Sequence, residues 1–448
     1  MFYEYVWTPV GISALIATIL FFFSLTVAWW LQPPSDIPPY ATKIRGKIYD
    51  LRNFQHPGGN SALALARGRD ATVLFDSYHV WNEAHEAVLK KLPVLGGAHD
   101  PDYKPLSDFH KDLKKLARQY AKESGQKRLK ITWGRFCLCV MLVPCYVATA
   151  IAYFKLSYWG LLWPVFTMLL GLQLSHDGSH FSVSRIPWIN RLLTWTSVWP
   201  WVYNPGLWMG QHVVQHHVYT NDHKDPDLYH AHPLSRTAAF FKWRPWMILM
   251  QSATLVIQPF IATLTLSSGL GIKAIASVTP ELFAVLWHFA PETLFYIFGT
   301  TLTWVWPIFY KSIHGLWLPI AGAAISSVWF IAITQVSHLQ DGCFNAQGSW
   351  AKRQVASTKD YSQDSRITSV LSGGLNTQAL HHVLPVVHSS HYTDLYPHFR
   401  KVCQQHNVRI LEMPSLWHGI AGWMKRQWRL SFPNAVEPPP AQNKAHNE

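Results

Sequence analysis

Residues 131–180 read ITWGRFCLCVMLVPCYVATAIAYFKLSYWGLLWPVFTMLLGLQLSHDGSH. Before the closing HDGSH only Arg135 and Lys155 carry charge. A helix needs about 20 mostly apolar residues to cross the hydrocarbon core of a bilayer. Ile131 to Phe154 is long enough for one span, and Ser157 to Leu174 is a shorter second. Only Lys155 and Leu156 separate them, too few for anything but a reversal. The pair is therefore expected to be a helical hairpin that returns the chain to the side it came from. His176 and His180 then emerge beyond the second span, four residues apart and so on one helix face.

The same reading extends outward in both directions. The chain has 448 residues, 49% hydrophobic and 14% charged, against roughly 25% charged for an ordinary soluble protein. Leu282 to Tyr310 and Ile313 to Val336 form a second expected hairpin, and Val6 to Leu31 a further span. That first run has no basic leader and no small-residue cleavage site, so it reads as a retained anchor rather than a signal peptide. The net charge is +13, and KDLKKLARQYAKESGQKRLK, 111–130, puts eight Lys and Arg just before the 131 span. By the positive-inside rule that side is cytosolic; the spans argue against a nucleic-acid partner. With Gln251, Gln258 and Pro259 interrupting residues 246–266, this stretch is expected to lie flat on the bilayer as an interfacial helix. Five cysteines, three of them within one span, suggest no disulfide framework. The expected organisation is an anchor and Pro-rich linker (1–40), a small polar α+β domain (41–98), a basic connector (99–130), a membrane domain (131–432) and a proline-rich disordered tail (433–448). The fold class is mostly α, with membrane hairpins under a cytosolic histidine-rich cap.

Histidines gather at the cytosolic ends of these spans. HDGSH gives His176 and His180, and QHVVQHHVYTN gives His212, His216 and His217. In an α-helix the first two of the latter group share a face and His217 points about 140° away. VSHLQD places His338 at the end of the last span, and QALHH supplies Gln378, His381 and His382. Imidazole suits zinc, copper, iron and nickel, and eight imidazoles are twice what one tetrahedral site takes, so two metals are implied. Neither CxxC nor HExxH accompanies them, and an electron source is attached, which favours iron. That source is the small domain: YDLRNFQHPGGN presents His56 in a Pro-Gly-Gly turn, and DATVLFDSYHV presents His79 on an expected helix. Two imidazoles on opposite faces of a porphyrin make a six-coordinate haem suited to electron transfer. Asp177, Asp225 and Asp227 are candidate carboxylates for orienting the imidazoles.

Taken together, these residues resemble the membrane fatty-acid desaturases of the front-end type, which carry a fused cytochrome b5 domain. The likeness runs from about residue 42 to 410. His176 and His180 correspond to the first histidine box, His212, His216 and His217 to the second, and Gln378, His381 and His382 to the third, where a leading Gln is typical. His338 resembles the extra ligand placed between the second and third boxes. Third boxes of this type usually read Q-I/V-E-H-H, whereas Leu380 stands here in place of Glu. The resemblance implies an O2-dependent acyl desaturase with two Fe ions held by the eight histidines, and Gln378 in or beside the ligand set. It further implies haem b between His56 and His79, and NADH electrons arriving through a separate cytochrome b5 reductase. The substrate would be an acyl lipid or acyl-CoA in the endoplasmic reticulum membrane, its chain buried in an apolar tunnel at about 0.8 kcal/mol per CH2.

Sphingoid-base desaturases and fatty-acyl hydroxylases use the same histidine logic. A histidine-rich metal transporter would carry His, Asp or Glu within its spans, whereas here, His288 apart, they sit at or beyond the ends.

Overall fold

The computed structural model describes residues 2–31, 36–97, 103, 106–196, 198–268 and 280–438. The chain is mostly helical, with its small antiparallel sheet near the N-terminus. Strands β1 (Ala41–Ile44), β2 (Lys47–Asp50) and β3 (Val94–Gly97) pair in that order. Helices Gly59–Ala66, Thr72–Tyr78 and Ala84–Leu89 fill the stretch between β2 and β3. Arg45 and Gly46, both at positive φ, turn β1 into β2.

Within the connector, Ser107 caps helix Asp108–Glu123 by accepting a bond from the backbone N–H of His110. Its buried stripe, Phe109, Leu113, Ala117 and Ala121, repeats every four residues, the spacing of one helix face. That stripe shares an apolar core with Tyr392, Leu395, Tyr396 and Phe399 of helix Tyr392–Gln405.

Helix Trp133–Phe154 runs antiparallel to the helical stretch that begins at Trp163. Arg135 bonds Gln173 at one end, and the Tyr153 and Trp163 rings meet 5.1 Å apart at the other. Helices Ala290–Lys311 and Trp317–Ile333 are joined by a tight 3-10 turn, Ser312–Leu316. Tyr153, Trp163, Trp201, Leu318 and Ala323, with Trp304 against them, form one aromatic-rich cluster that ties the two pairs together. By length and composition, two runs among the described residues suffice to cross a membrane, Trp133–Phe154 and Ala290–His338. The first helix, Phe2–Leu31, has its shorter apolar part at Pro9–Phe23 and packs beside Ala290–Lys311.

Two expectations need correction. Helix Met247–Ser268 does not lie apart from the other helices as an interfacial element. It runs antiparallel along Trp317–Ile333, with Thr263 bonded to Ser327 and Ala323 and Gln251 bonded to Arg236 and Gln427. Gln251, which interrupts its apolar run, thus finds its partners inside the protein. Residues 433–438 of the proline-rich end are also packed onto the body. The guanidinium of Arg426, completely buried on helix Leu416–Arg429, is paired by Glu437 at 2.5 Å, because a buried charge requires a counter-charge. Residues 439–448, part of the Pro-rich linker and part of the connector lie outside the described residues.

Candidate metal centre

All eight candidate histidines come together in one buried cluster. His176, His180, His212 and His381 bring ligand nitrogens within 4.8 Å of one another, and His216, His338 and His382 form a second such group. His217 joins the two, its Nε2 3.2 Å from that of His212 and its ring stacked on His382 at 4.2 Å. Gln378 presents Nε2 to His338 at 3.0 Å and to His382 at 3.2 Å, while its Oε1 is buried without a partner.

Local backbone explains part of this convergence. Gly171–His176 and Met209–His216 are π-helical, and a π turn bonds residue i to i+5. The expectation that His217 points away from His212 therefore fails: five residues along a π turn return to nearly the same side, and the two Nε2 atoms meet. Further along, Gly373 and Gly374 hold left-handed φ of +64° and +81°. A Cβ on the first would lie 2.7 Å from Leu172 Cβ, and on the second 2.6 Å from Ser389 Cβ. Glycine is thus required where the third box, helix Gln378–Val383, closes onto the first π turn. Asp360, buried, then accepts from the Ala379 N–H at 3.0 Å and from Tyr396 Oη at 2.8 Å, fixing the start of that helix.

Six of the eight rings are held from outside, while His217 Nδ1 is buried without a hydrogen-bond partner. For Nδ1 the partners are Asp177 at 3.3 Å for His176, Tyr78 Oη at 2.7 Å for His180, and Asp225 at 3.1 Å for His216. The Ser357 carbonyl lies 3.4 Å from His338 Nδ1, Tyr392 Oη 3.2 Å from His381 Nδ1, and Gln354 Oε1 2.7 Å from His382 Nδ1. Asp177 is anchored in turn by the backbone N–H and hydroxyl of Ser389. Asp227 stands further off, 3.6 Å from His216 Nδ1. Burial, reinforced by the neighbouring imidazoles, pushes His180, His212, His217, His381 and His382 well below the usual histidine range.

These facts test the fit of a metal. A neutral imidazole has one N–H and one lone pair. Where Nδ1 is directed outward to an acceptor, Nε2 carries the lone pair; those of His216 and His338 face each other at 3.3 Å, and that of His180 lies 3.0 Å from His212 Nε2. His176 Nε2 and His381 Nε2 are buried with no hydrogen-bond partner. Lone pairs pointed at lone pairs are repulsive unless cations stand between them, so the donor set fits two metal ions. Gln378 fits as well, because amide orientation is assigned rather than observed; turning it over directs the orphaned Oε1 at the same place. Leu380, by contrast, is buried in the apolar core.

In the small domain, a cavity of about 550 Å³ is lined by His56, Leu63, Phe75, His79 and His85 and, from the helical body, by Lys130 and Arg185 among others. His56 and His79 have ring centres 5.8 Å apart, close to the roughly 6 Å of two imidazoles each about 2 Å from a shared metal. His79 Nδ1 donates to the Phe75 carbonyl at 2.8 Å, leaving Nε2 as the free lone pair. Burial lowers His79 to about 4 and keeps it neutral. The apolar cavity and its paired imidazoles fit a haem. Sequence reasoning missed His85, stacked on His79 at 4.8 Å with its Nε2 3.4 Å from Glu86; nothing in its spacing singled it out. It also missed Tyr78, Gln354 and Tyr392, which act through the histidines and follow no motif. His288 bonds Ser61 and Arg191 and joins the small domain to the body.

Beside His212, a cavity of only about 20 Å³ lies between Ala262, Phe330 and Ile331, about enough for one water.

Comparison with known proteins places these features. Residues 154–414 match the fatty acid desaturase family and residues 36–118 the cytochrome b5-like haem/steroid binding domain. An acyl-lipid omega-13 desaturase of Chlamydomonas reinhardtii is 27% identical, over 88% of this chain and 94% of that protein. An acyl-lipid (8-3)-desaturase of Mortierella alpina is 28% identical over 85% and 92%. A Delta(8)-fatty-acid desaturase of Arabidopsis thaliana is 25% identical over 86% and 87%. No solved structure matches the chain.

Proposed function

The chain belongs to the fatty acid desaturase family, and on that premise we propose that it inserts a double bond on the carboxyl side of an existing one in a lipid-linked polyunsaturated acyl chain. It is an O2-dependent oxidoreductase carrying a fused cytochrome b5-like domain. The observation that carries the proposal is the meeting of eight imidazoles from four separate segments, two groups wide, beside a cavity with paired histidines. The names of the relatives, acyl-lipid desaturases among them, favour a lipid-linked over a CoA-linked substrate.

Two irons in the cluster would supply O2 reduction and the removal of two hydrogens from adjacent methylenes, and a haem between His56 and His79 would supply single electrons. The chain's own residues prepare that chemistry. His176, His180, His212 and His381, with His217 between, offer neutral lone pairs to one ion, and His216, His338 and His382 with Gln378 to the other. Asp177 and Asp225 hold the tautomers of His176 and His216, so the Nε2 atoms stay unprotonated. The apolar packing of Leu380, Val383 and Leu384 around the third box keeps bulk water out.

Electrons would come from NADH through a separate reductase that docks on the small domain. The basic helix 108–123 supports a cytosolic position for that domain and the cluster, in the endoplasmic reticulum membrane. Exposed Trp133, Met141, Val147, Ile151, Val256 and Phe260 supply apolar surface of the kind that faces lipid. Expression in a host without polyunsaturated lipids, with candidate acids fed and products located by mass spectrometry, tests the reading. A new double bond toward the carboxyl end is expected, absent in His381→Ala. A hydroxylated product, or unaltered acids from protein holding both irons, would refute it.

A further inference from the structure

The outward nitrogens of His176, His216, His338, His381 and His382 are held by residues of the helical body, but that of His180 is not. His180 Nδ1 lies 2.7 Å from Tyr78 Oη, and Tyr78 ends helix Thr72–Tyr78 of the small domain. We propose that Tyr78 is a positioning residue for the metal ligand His180, so that the haem-binding domain helps to build the metal site as well as serving it. This rests on the reading of the cluster as a metal centre.

The geometry assigns the roles. His180 Nε2 faces His212 Nε2, on the side where an ion would sit, so the ring proton is on Nδ1 and donates to the tyrosine oxygen. Tyr78 Oη is the one acceptor at that nitrogen among the described residues, and His180 itself is fully buried. Without Tyr78 the Nδ1–H would be orphaned, and the ring would be free to exchange its tautomer, placing the proton where the lone pair is needed. The Tyr78 ring is held in turn by Phe181, edge-on at 6.2 Å. The neighbour of Tyr78 in the chain is His79, whose Nδ1 is fixed to Phe75. One peptide unit, one phenol and one hydrogen bond therefore connect a haem-facing imidazole to a metal-facing one. Any displacement of the small domain from the body withdraws the acceptor from His180, which ties metal retention to domain docking.

Cobalt(II) titration of metal-free full-length protein in detergent tests this by the visible ligand-field bands and the dissociation constant, independently of turnover. Removal of such an outer partner costs 10–100-fold in metal affinity, and Tyr78→Phe, which keeps the ring and removes the hydroxyl, is expected to show a loss in that range. The haem Soret band should stay unchanged. Ser61→Ala, which removes the bond to His288 at the same interface, is expected to bind cobalt as the wild type does. An unchanged constant in Tyr78→Phe overturns the inference. His180→Ala separates the two levels: if it too binds both ions normally, the metal-centre reading falls; if it loses one while Tyr78→Phe loses nothing, only the positioning role falls.

Discussion

Replacing Asp225 by Asn should weaken metal retention and stability together, by amounts that follow from its four contacts. Oδ2 accepts from the Asn221 N–H at 2.8 Å and Oδ1 from the Asp227 N–H at 2.9 Å, while His216 Nδ1 lies 3.1 and 3.2 Å from the two oxygens. Asparagine has one acceptor oxygen. Whichever way its amide turns, the NH2 group faces one of the two backbone donors. The carboxylate is fully buried, and an orphaned buried donor costs about 1–3 kcal/mol. His216 meanwhile loses the anion that fixes its tautomer, which costs about 10–100-fold in metal affinity, or roughly 1.4–2.8 kcal/mol. Chelator competition on the purified chain, read by iron content, measures the second effect, and thermal unfolding of the metal-free chain the first. Asp227→Asn is the comparison, because that carboxylate is part-exposed and 3.6 Å from the ring; a loss of about 0–1 kcal/mol is expected there. If Asp225→Asn kept iron against the chelator as the wild type does, the carboxylate would not be orienting His216 and the argument from outward Nδ1 atoms would fail.

Other consequences can be measured separately. His79→Ala should abolish the bis-histidine haem spectrum while His85→Phe preserves it; the reverse result would make His85 the ligand. Glu437→Gln leaves the Arg426 guanidinium buried without its anion, which should cost about 3–5 kcal/mol, and an unchanged unfolding midpoint would show that residues 433–438 do not pack as described. Gly374→Ala should lose about 1–2 kcal/mol from the left-handed backbone and about 1–3 kcal/mol more from overpacking, in a thermal or denaturant assay. Burial pushes the Asp360 carboxyl up to about 7, above the 3.9 of an unfolded chain. The folded protein then holds this proton more tightly, so the contribution is complete below about pH 4 and is lost as pH rises through 7. Asp360→Asn should flatten the stability profile between about pH 4 and 7, and a slope equal to that of the wild type there would count against the protonated carboxyl.

The histidines were legible in the sequence because metal ligation demands a residue type that apolar segments otherwise avoid, and because hairpins force separate segments to one side. Their mutual geometry was not legible, since it depends on backbone states that composition does not encode. The spacing of His212 and His217 is unfavourable in an α-helix and favourable in a π turn, and the choice between them is made by packing around residues 205–219. The same holds for helix Met247–Ser268: its interruptions at Gln251, Gln258 and Pro259 suggested a helix lying on the bilayer until Gln427 and Arg236 were found opposite Gln251 and Ser327 opposite Thr263.

The partners of the ligands were the least legible of all. Asp177 and Asp225 are near their histidines in the chain, so they were accessible to inspection. Gln354 and Tyr392 lie 28 and 11 residues from theirs, and Tyr78 lies 102 residues from His180, in a different domain. A motif records the atoms that touch the ion, because those are limited to a few side chains. It does not record the acceptors behind them, because a carboxylate, an amide, a phenol or a backbone carbonyl can each take the same imidazole proton, as all four do here. The residue types around a metal centre are therefore constrained in the inner layer and interchangeable in the outer one, which is why the outer layer emerges only when the chain is folded.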